Sequence, residues 1–310
     1  MNPRPSSQVL RVHLSLLFIQ VTFGGFHVFG KFVLGQMHPL ALASLRGLGA
    51  VPILMVLAWR AHPALPSRRD LLHLALLGFL GIFTNQVLFI VGLSYTTASN
   101  AAILMPSIPV FTALAAAVLG IERLSLRRWT GVALAVAGAV VMLGVPGLHG
   151  GRGVLLGNAL ILLNCLSYGL YLVAQRPMLM RLPAVTVVGW AFLFGGMGTL
   201  AVGLPFLAKL DPAAVSASAW IGVAYIVLIP TVVNYSLNAW ALHRSSPALV
   251  ATYTTLQPVA ATILAVMFLH ETAGLAQFLG FCLIVGGLVL VSRGQGRIGD
   301  KGQGTRDRGH

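Results

Sequence analysis

The chain is built of one apolar stretch after another, each about as long as a helix must be to cross a bilayer. A hydrocarbon core about 30 Å thick takes roughly 20 residues of helix. Inside it every backbone amide must be bonded within the segment, so such a run folds as a helix and as little else. Ten runs are legible: Leu14–Leu34, Leu40–Trp59, Leu71–Leu93, Ala98–Ile121, Trp129–Val145, Val154–Gln175, Val185–Ala208, Trp220–Leu242, Pro247–Leu269 and Leu275–Val291. The short segments between them leave no room for a folded soluble domain, so function has to reside in the helices. Only 8% of the residues are charged, against about 25% in a soluble domain. The first run follows Arg4 and Arg11 but is too long for the apolar part of a signal peptide, and it is kept as a span. The expected class is an all-α integral membrane protein.

Orientation follows from the basic residues, which gather on the cytoplasmic side of membrane proteins. With the N-terminus inside, 16 of the 20 Lys and Arg fall in cytoplasmic segments, Arg152 and Lys209 fall outside, and Lys31 and Arg46 lie within spans. Ten helices with both termini cytoplasmic is the count consistent with this alternation. A net charge of +14 distributed in this way is a topology signal, which argues against a nucleic-acid partner. Cys165 and Cys282 both fall inside apolar runs, so neither a disulfide framework nor a metal site is implied. The Gly-rich basic tail, residues 294–310, is expected to be disordered and cytoplasmic.

The chain also repeats itself. At an offset of 149, Asn85 meets Asn234, Pro109 meets Pro258, Glu122 meets Glu271, Gly131 meets Gly280 and Gly138 meets Gly287. At 145, Lys31 meets Arg176, and at 144, Pro39 meets Pro183. This divides the chain into residues 12–146 and 151–293, each with five spans. Five is odd, so the second half enters the membrane upside down relative to the first. Inverted repeats of this kind recur in secondary transporters, with the substrate near the midplane between them.

Several of these residues carry a family resemblance. Phe23-Gly24 precedes Lys31, His38-Pro39 leads to Arg46, and Ser94–Asn100 turns into a Pro-containing fourth span. Gly120-Ile121-Glu122 stands before a Gly-rich fifth span, with an echo in His270-Glu271 before the tenth. In these features, from about Leu14 to Val291, the chain resembles the drug/metabolite transporter superfamily and its ten-helix EamA-type branch. It departs from the usual pattern at Phe23, where the family often has Trp; the counterpart in the second half is Tyr168. The resemblance implies paired five-helix domains and a permease that exports or exchanges small metabolites across the cytoplasmic membrane.

Polar side chains within spans usually face the bundle interior. The sixth span carries Asn164, Tyr168, Tyr171 and Gln175 on one helical face, and the first carries Gln20, Gly24, His27 and Lys31. Asn234 and Asn238 lie on the eighth, Tyr253 and Gln257 on the ninth, with Asn85, Asn100 and Trp190 as further candidates. The expected substrate-lining set is therefore His27, Asn85, Tyr168, Tyr171, Trp190, Asn234, Asn238, Tyr253 and Gln257. Each also has a plainer reading. Asn and Gln in spans serve as interhelical hydrogen bonds worth about 0.6 kcal/mol, Tyr253 fits an aromatic belt, and a neutral packing histidine accounts for His27 equally well. Lys31 and Arg176, at span ends, are expected to snorkel, while Arg46, about one third into its span, admits either role. Pro106, Pro109, Pro230 and Pro258 are expected to kink their helices.

Absences narrow the function. None of the six acids (Asp70, Glu122, Asp211, Glu271, Asp300 and Asp307) lies mid-span, which disfavours carriers of organic cations and proton antiport through a buried carboxylate. There is no buried acid pair, His-Glu-x-x-His, Gly-x-Ser-x-Gly or phosphate loop, so an enzyme is not expected and no cofactor or metal is implied. The expectation is an inner-membrane permease, monomeric or homodimeric, working by alternating access on amino acids or similar neutral or zwitterionic solutes. Organic anions and drug-like compounds stand as the alternative, with a non-transporting membrane protein or membrane enzyme as the remote one.

Overall fold

The computed structural model describes residues 6–96, 101, 104–120, 125–143, 152–260 and 275–293, and the observations below refer to these. Asn100, Glu122, Glu271 and the tail lie outside them. In chain order the helical elements are α1 (Ser6–Leu34), α2 (Pro39–Ala61), α3 (Arg68–Tyr95), α4 (Ser107–Val118) and α5 (Leu126–Leu143). They continue as α6 (Arg152–Leu179), α7 (Ala184–Leu207), α8 (Ala217–Arg244), α9 (Pro247–Thr252) and α10 (Leu275–Arg293). Among the described residues there is no strand. Six of these elements, α1–α3 and α6–α8, are long and apolar enough to cross a membrane. On α1, Leu17, Phe18, Val21, Phe29 and Phe32 are exposed, an apolar face of a size that soluble monomers seldom leave bare.

Helix starts carry local signals that hold them in place. Pro39 and Pro247 sit in the first turns of α2 and α9, where the missing N–H costs nothing. His38 Nδ1 accepts the Leu40 N–H at 3.2 Å, and Ser246 Oγ accepts the Leu249 N–H at 3.2 Å. At the start of α3, Ser67 caps the Asp70 N–H, and Asp70 in turn pairs with Arg181 at 2.8 Å.

The regular expectations are corrected where the backbone departs from α geometry. α3 and α8 are each 28 residues long, and each passes through a seven-residue π-helical stretch, Gly78–Thr84 and Val227–Val233. Those stretches begin at the same depth in their helices, and each is followed directly by the Asn of the repeat, Asn85 or Asn234. The fourth and ninth runs are not continuous α-helices either. Pro109 and Pro258 lack an N–H and crowd the carbonyls of Met105 and Thr254, four residues back. Those carbonyls instead accept from Ile108 N–H (2.9 Å) and Gln257 N–H, the tighter 3₁₀ pattern.

Close helix packing is glycine-dependent. A Cβ on Gly138 would stand 2.7 Å from the Gly280 carbonyl, and one on Gly287 2.5 Å from that of Gly131. The same four glycines that align in the repeat therefore meet crosswise between α5 and α10, and the pairing shows the two helices to be antiparallel. α2 and α7 are antiparallel as well, with Leu40 opposite Gly203, Gly47 opposite Gly196 and Leu54 opposite Gly189.

A buried polar cavity between the helices

The helix breaks converge on one cavity, about 550 Å3 of empty space including its open mouth. α1 supplies Gln20, Phe23, Phe26 and His27; α2 supplies Arg46; α3 supplies Asn85, Gln86 and Phe89. Met105 and Ile108 line it at the break before and into α4, Asn164 and Tyr168 from α6, Tyr235 and Asn238 from α8, and Thr254 and Gln257 after α9. The π stretches shape this wall. A π turn leaves carbonyls without an α-helical partner, and here Leu80 O accepts Ser167 Oγ at 2.7 Å, Gly81 O accepts the Tyr235 hydroxyl at 3.3 Å, and Ile226 O accepts Thr231 Oγ1 at 2.7 Å.

The polar lining is partly tied down. Gln257 Nε2 donates to Gln20 Oε1 at 3.0 Å, Asn164 Nδ2 to Asn85 O at 2.8 Å, Tyr235 OH to Asn85 Oδ1 at 3.1 Å, and Asn238 Nδ2 to the Tyr168 hydroxyl. What remains unpaired is more telling. His27 Nε2, both polar atoms of the Gln86 amide, Asn238 Oδ1 and Gln257 Oε1 are buried without a hydrogen-bond partner among the described residues. His27 Nδ1 lies 2.8 Å from Phe23 O. A carbonyl only accepts, so Nδ1 carries the proton and neutral His27 turns a bare acceptor, Nε2, away from it. Leaving such groups unmade costs about 1–3 kcal/mol each, and four of the residues concerned share this one cavity.

Arg46 is the one charged residue of the lining. It is 2% exposed, its Nε donates to Thr231 Oγ1 at 3.1 Å, and its guanidinium lies 4.7 Å from the centre of the Phe26 ring. No lining residue is acidic.

Of the expected substrate-lining residues, the structure brings His27, Asn85, Tyr168, Asn238 and Gln257 together at the cavity. It places four elsewhere. Tyr171 packs its ring onto Gly81, so closely that a Cβ there would lie 2.2 Å from it. Asn234 donates to Thr22 Oγ1 at 2.9 Å and is buried between α8 and α1. Trp190 is half-buried against Phe194. Tyr253 meets His13 Nδ1 at 2.5 Å. Lys31 and Arg176, at span ends, reach to neighbouring helix ends. Lys31 Nζ donates to Leu93 O (2.9 Å) and Thr96 O (2.7 Å) at the end of α3, and Arg176 donates to Ser245 O at the end of α8, a favourable place for a cation. Gln86, Phe89, Ile108 and Tyr235 escaped the sequence reading. The repeat contained the signal for two of them, since the offset of 149 carries Asn238 and Gln257 onto Phe89 and Ile108; Tyr235 and Gln86 are each other's counterparts, and neither was a candidate.

Apolar helices outside and an unsatisfied polar cavity within are the construction of a multi-pass membrane transporter. The sequence comparisons give the particular family: the EamA-like transporter family matches twice, over residues 10–144 and 155–293, and the chain belongs to it. Similar proteins include an uncharacterized transporter of Archaeoglobus fulgidus, 28% identical over 92% of this chain and 98% of that one. The uncharacterized inner membrane transporter YedA of Escherichia coli is 26% identical over 93% and 92%. Protein WALLS ARE THIN 1 of Arabidopsis thaliana is 27% identical over 92% and 83%. A solved crystal structure shares the fold with a TM-score of 0.74 at 20% identity, covering 95% of this chain and all of the other. The family consists of transporters, which sets the membrane-enzyme reading aside.

Proposed function

We propose that the chain is a permease of the cell's inner membrane that moves amino acids or similar small metabolites through the cavity by alternating access. The observation that carries this reading is the convergence of unpaired polar atoms from α1, α3, α8 and the segment after α9 on one cavity. Buried polar groups are left unmade in proteins mainly where something else completes them. The cavity's Phe23, Phe26, Phe89 and Met105 offer apolar surface beside those groups, the mixture that small-molecule sites use. Antiparallel crossing of the matched helices α5 and α10 supports two inverted five-helix halves, helix breaks recur at matched prolines, and the gathering of basic residues supports both termini being cytoplasmic. Broken helices beside a cavity are how such transporters expose backbone to substrate. The bilayer is the partner of the exposed apolar faces, and one chain, alone or as a homodimer, forms the whole path.

Solute counterflow in proteoliposomes tests this without a guess at the driving ion. Saturable exchange of a labelled amino acid or neutral metabolite, absent from empty liposomes and reduced in Asn238→Ala, is the expected result. Silence across amino acids, neutral metabolites, organic anions and phosphorylated metabolites would overturn it.

A further inference from the structure

Resting on that transport reading and sharpening it, the charge of the cavity selects the chemistry of its substrate. A cation nine-tenths removed from water is costly unless something answers it, and arginine keeps its charge in any protein setting. Arg46 has one nitrogen bonded, to Thr231, and its guanidinium carbon lies over the Phe26 ring, 4.7 Å from its centre. No described residue accepts a hydrogen bond from its two terminal nitrogens. The ring and the threonine engage one part of the guanidinium, and its two terminal nitrogens, the pair that fits a carboxylate in two parallel hydrogen bonds, are left unbonded on a residue that lines the cavity. The unpaired His27 Nε2 is an acceptor and so calls for a donor on the ligand, as do the unpaired oxygens of Asn238 and Gln257, while the Gln86 amide can supply either partner.

We infer that Arg46 is the anchor for a substrate carboxylate, and that the cavity takes small carboxylates bearing an N–H or O–H donor and an apolar side chain. The ammonium of an amino acid would meet neutral acceptors and aromatic faces there, with no carboxylate to pair with. The carboxylate is therefore the group that binding requires, and the donor improves it.

A ligand ladder on the full-length protein reads this directly. Phenylalanine, 3-phenylpropanoate, phenylalaninamide and phenethylamine share one skeleton and differ in the two polar groups; leucine and its matching acid, amide and amine repeat the test on a smaller body. Binding is followed by the melting temperature of the detergent-purified protein, and exchange by counterflow in proteoliposomes. The amino acid is expected to bind best and the deaminated acid next, each raising the melting temperature by a few degrees, with the amides and amines giving no shift. Arg46→Gln should weaken carboxylate binding about tenfold to a hundredfold, and Arg46→Lys should keep part of it. Amides binding as tightly as acids, no binding by any of the eight compounds, or a well-folded Arg46→Gln that binds acids like the wild type would each overturn the assignment. The ladder on the wild-type protein decides even if the variant does not fold. Acid binding that depends on Arg46 without counterflow would leave the anchor standing and remove the transport reading. Counterflow of a solute without a carboxylate, unchanged in Arg46→Gln, would do the reverse.

Discussion

The two family-matched segments of this chain share a backbone and differ in what they bring to it. α3 and α8 have the same length and the same π stretch, and the segments around Pro109 and Pro258 break at the same carbonyl. The side chains that these shared irregularities aim at the cavity do not match. Gln86 and Phe89 on α3 stand where α8 has Tyr235 and Asn238, and Met105 and Ile108 stand where the second segment has Thr254 and Gln257. The charge is more lopsided still. Arg46 on α2 lines the cavity, while Trp190, at the matching place on α7, packs with Phe194 and is not among its lining residues. Duplicated geometry thus builds a site in which one wall is charged and partly apolar and the other supplies neutral polar groups.

The comparison can be broken most forcefully at the helix crossing. Gly138→Val and Gly287→Val each drive a side chain into a facing carbonyl, and each is expected to cost about 3 kcal/mol, read as a large and equal fall in melting temperature. A clear inequality would show that the two positions are not equivalent. Next in size come exchanges of chemistry between the walls. Gln257→Ile, which copies its counterpart, should lower counterflow about tenfold by removing the bond to Gln20 and a polar group of the cavity. The reciprocal Ile108→Gln should change it about threefold or less. Trp190→Ala should cost about 1 kcal/mol of stability and leave counterflow within about twofold, whereas lining residues such as Asn238 behave the other way round.

The smallest effect concerns the loops. His38 caps α2 by accepting an N–H, whereas α7 begins at Pro183 without a side-chain cap. Partial burial sets the His38 pKa below its ordinary value. The neutral form is therefore favoured by folding, and its small stabilisation is present above the ordinary histidine pKa and is lost as the pH falls through the lowered one. His38→Asn should retain the cap and remove that pH dependence, with a change of about 1 °C or less in melting temperature.

Much of this was legible in the sequence, and the boundary between legible and not is physical. Apolar length marks the helices because bilayer thickness leaves few alternatives. The repeat marks Pro109, Pro258 and the crossing glycines because the backbone there tolerates few residues. Side-chain facing was only half legible. Asn164 and Tyr168 point to the cavity while Tyr171, on the same stripe, is turned onto Gly81. The π stretch in α3 adds a residue to the turn, and no ideal 3.6-residue period foresees how its neighbours then pack. Asn234 sits away from the cavity for a related reason: it bonds Thr22 on α1, and no span read by itself contains that partner.

The matched π stretches also keep the repeat in register. A π turn is what a helix makes of one inserted residue when the flanking contacts are kept. Had either copy gained that residue alone, the offset between the copies would change by one across the stretch. It stays at 149 from Arg68 and Ala217 through to Tyr95 and Arg244. The irregularity is thus itself part of what repeats, and the two helices stay in register through it residue for residue.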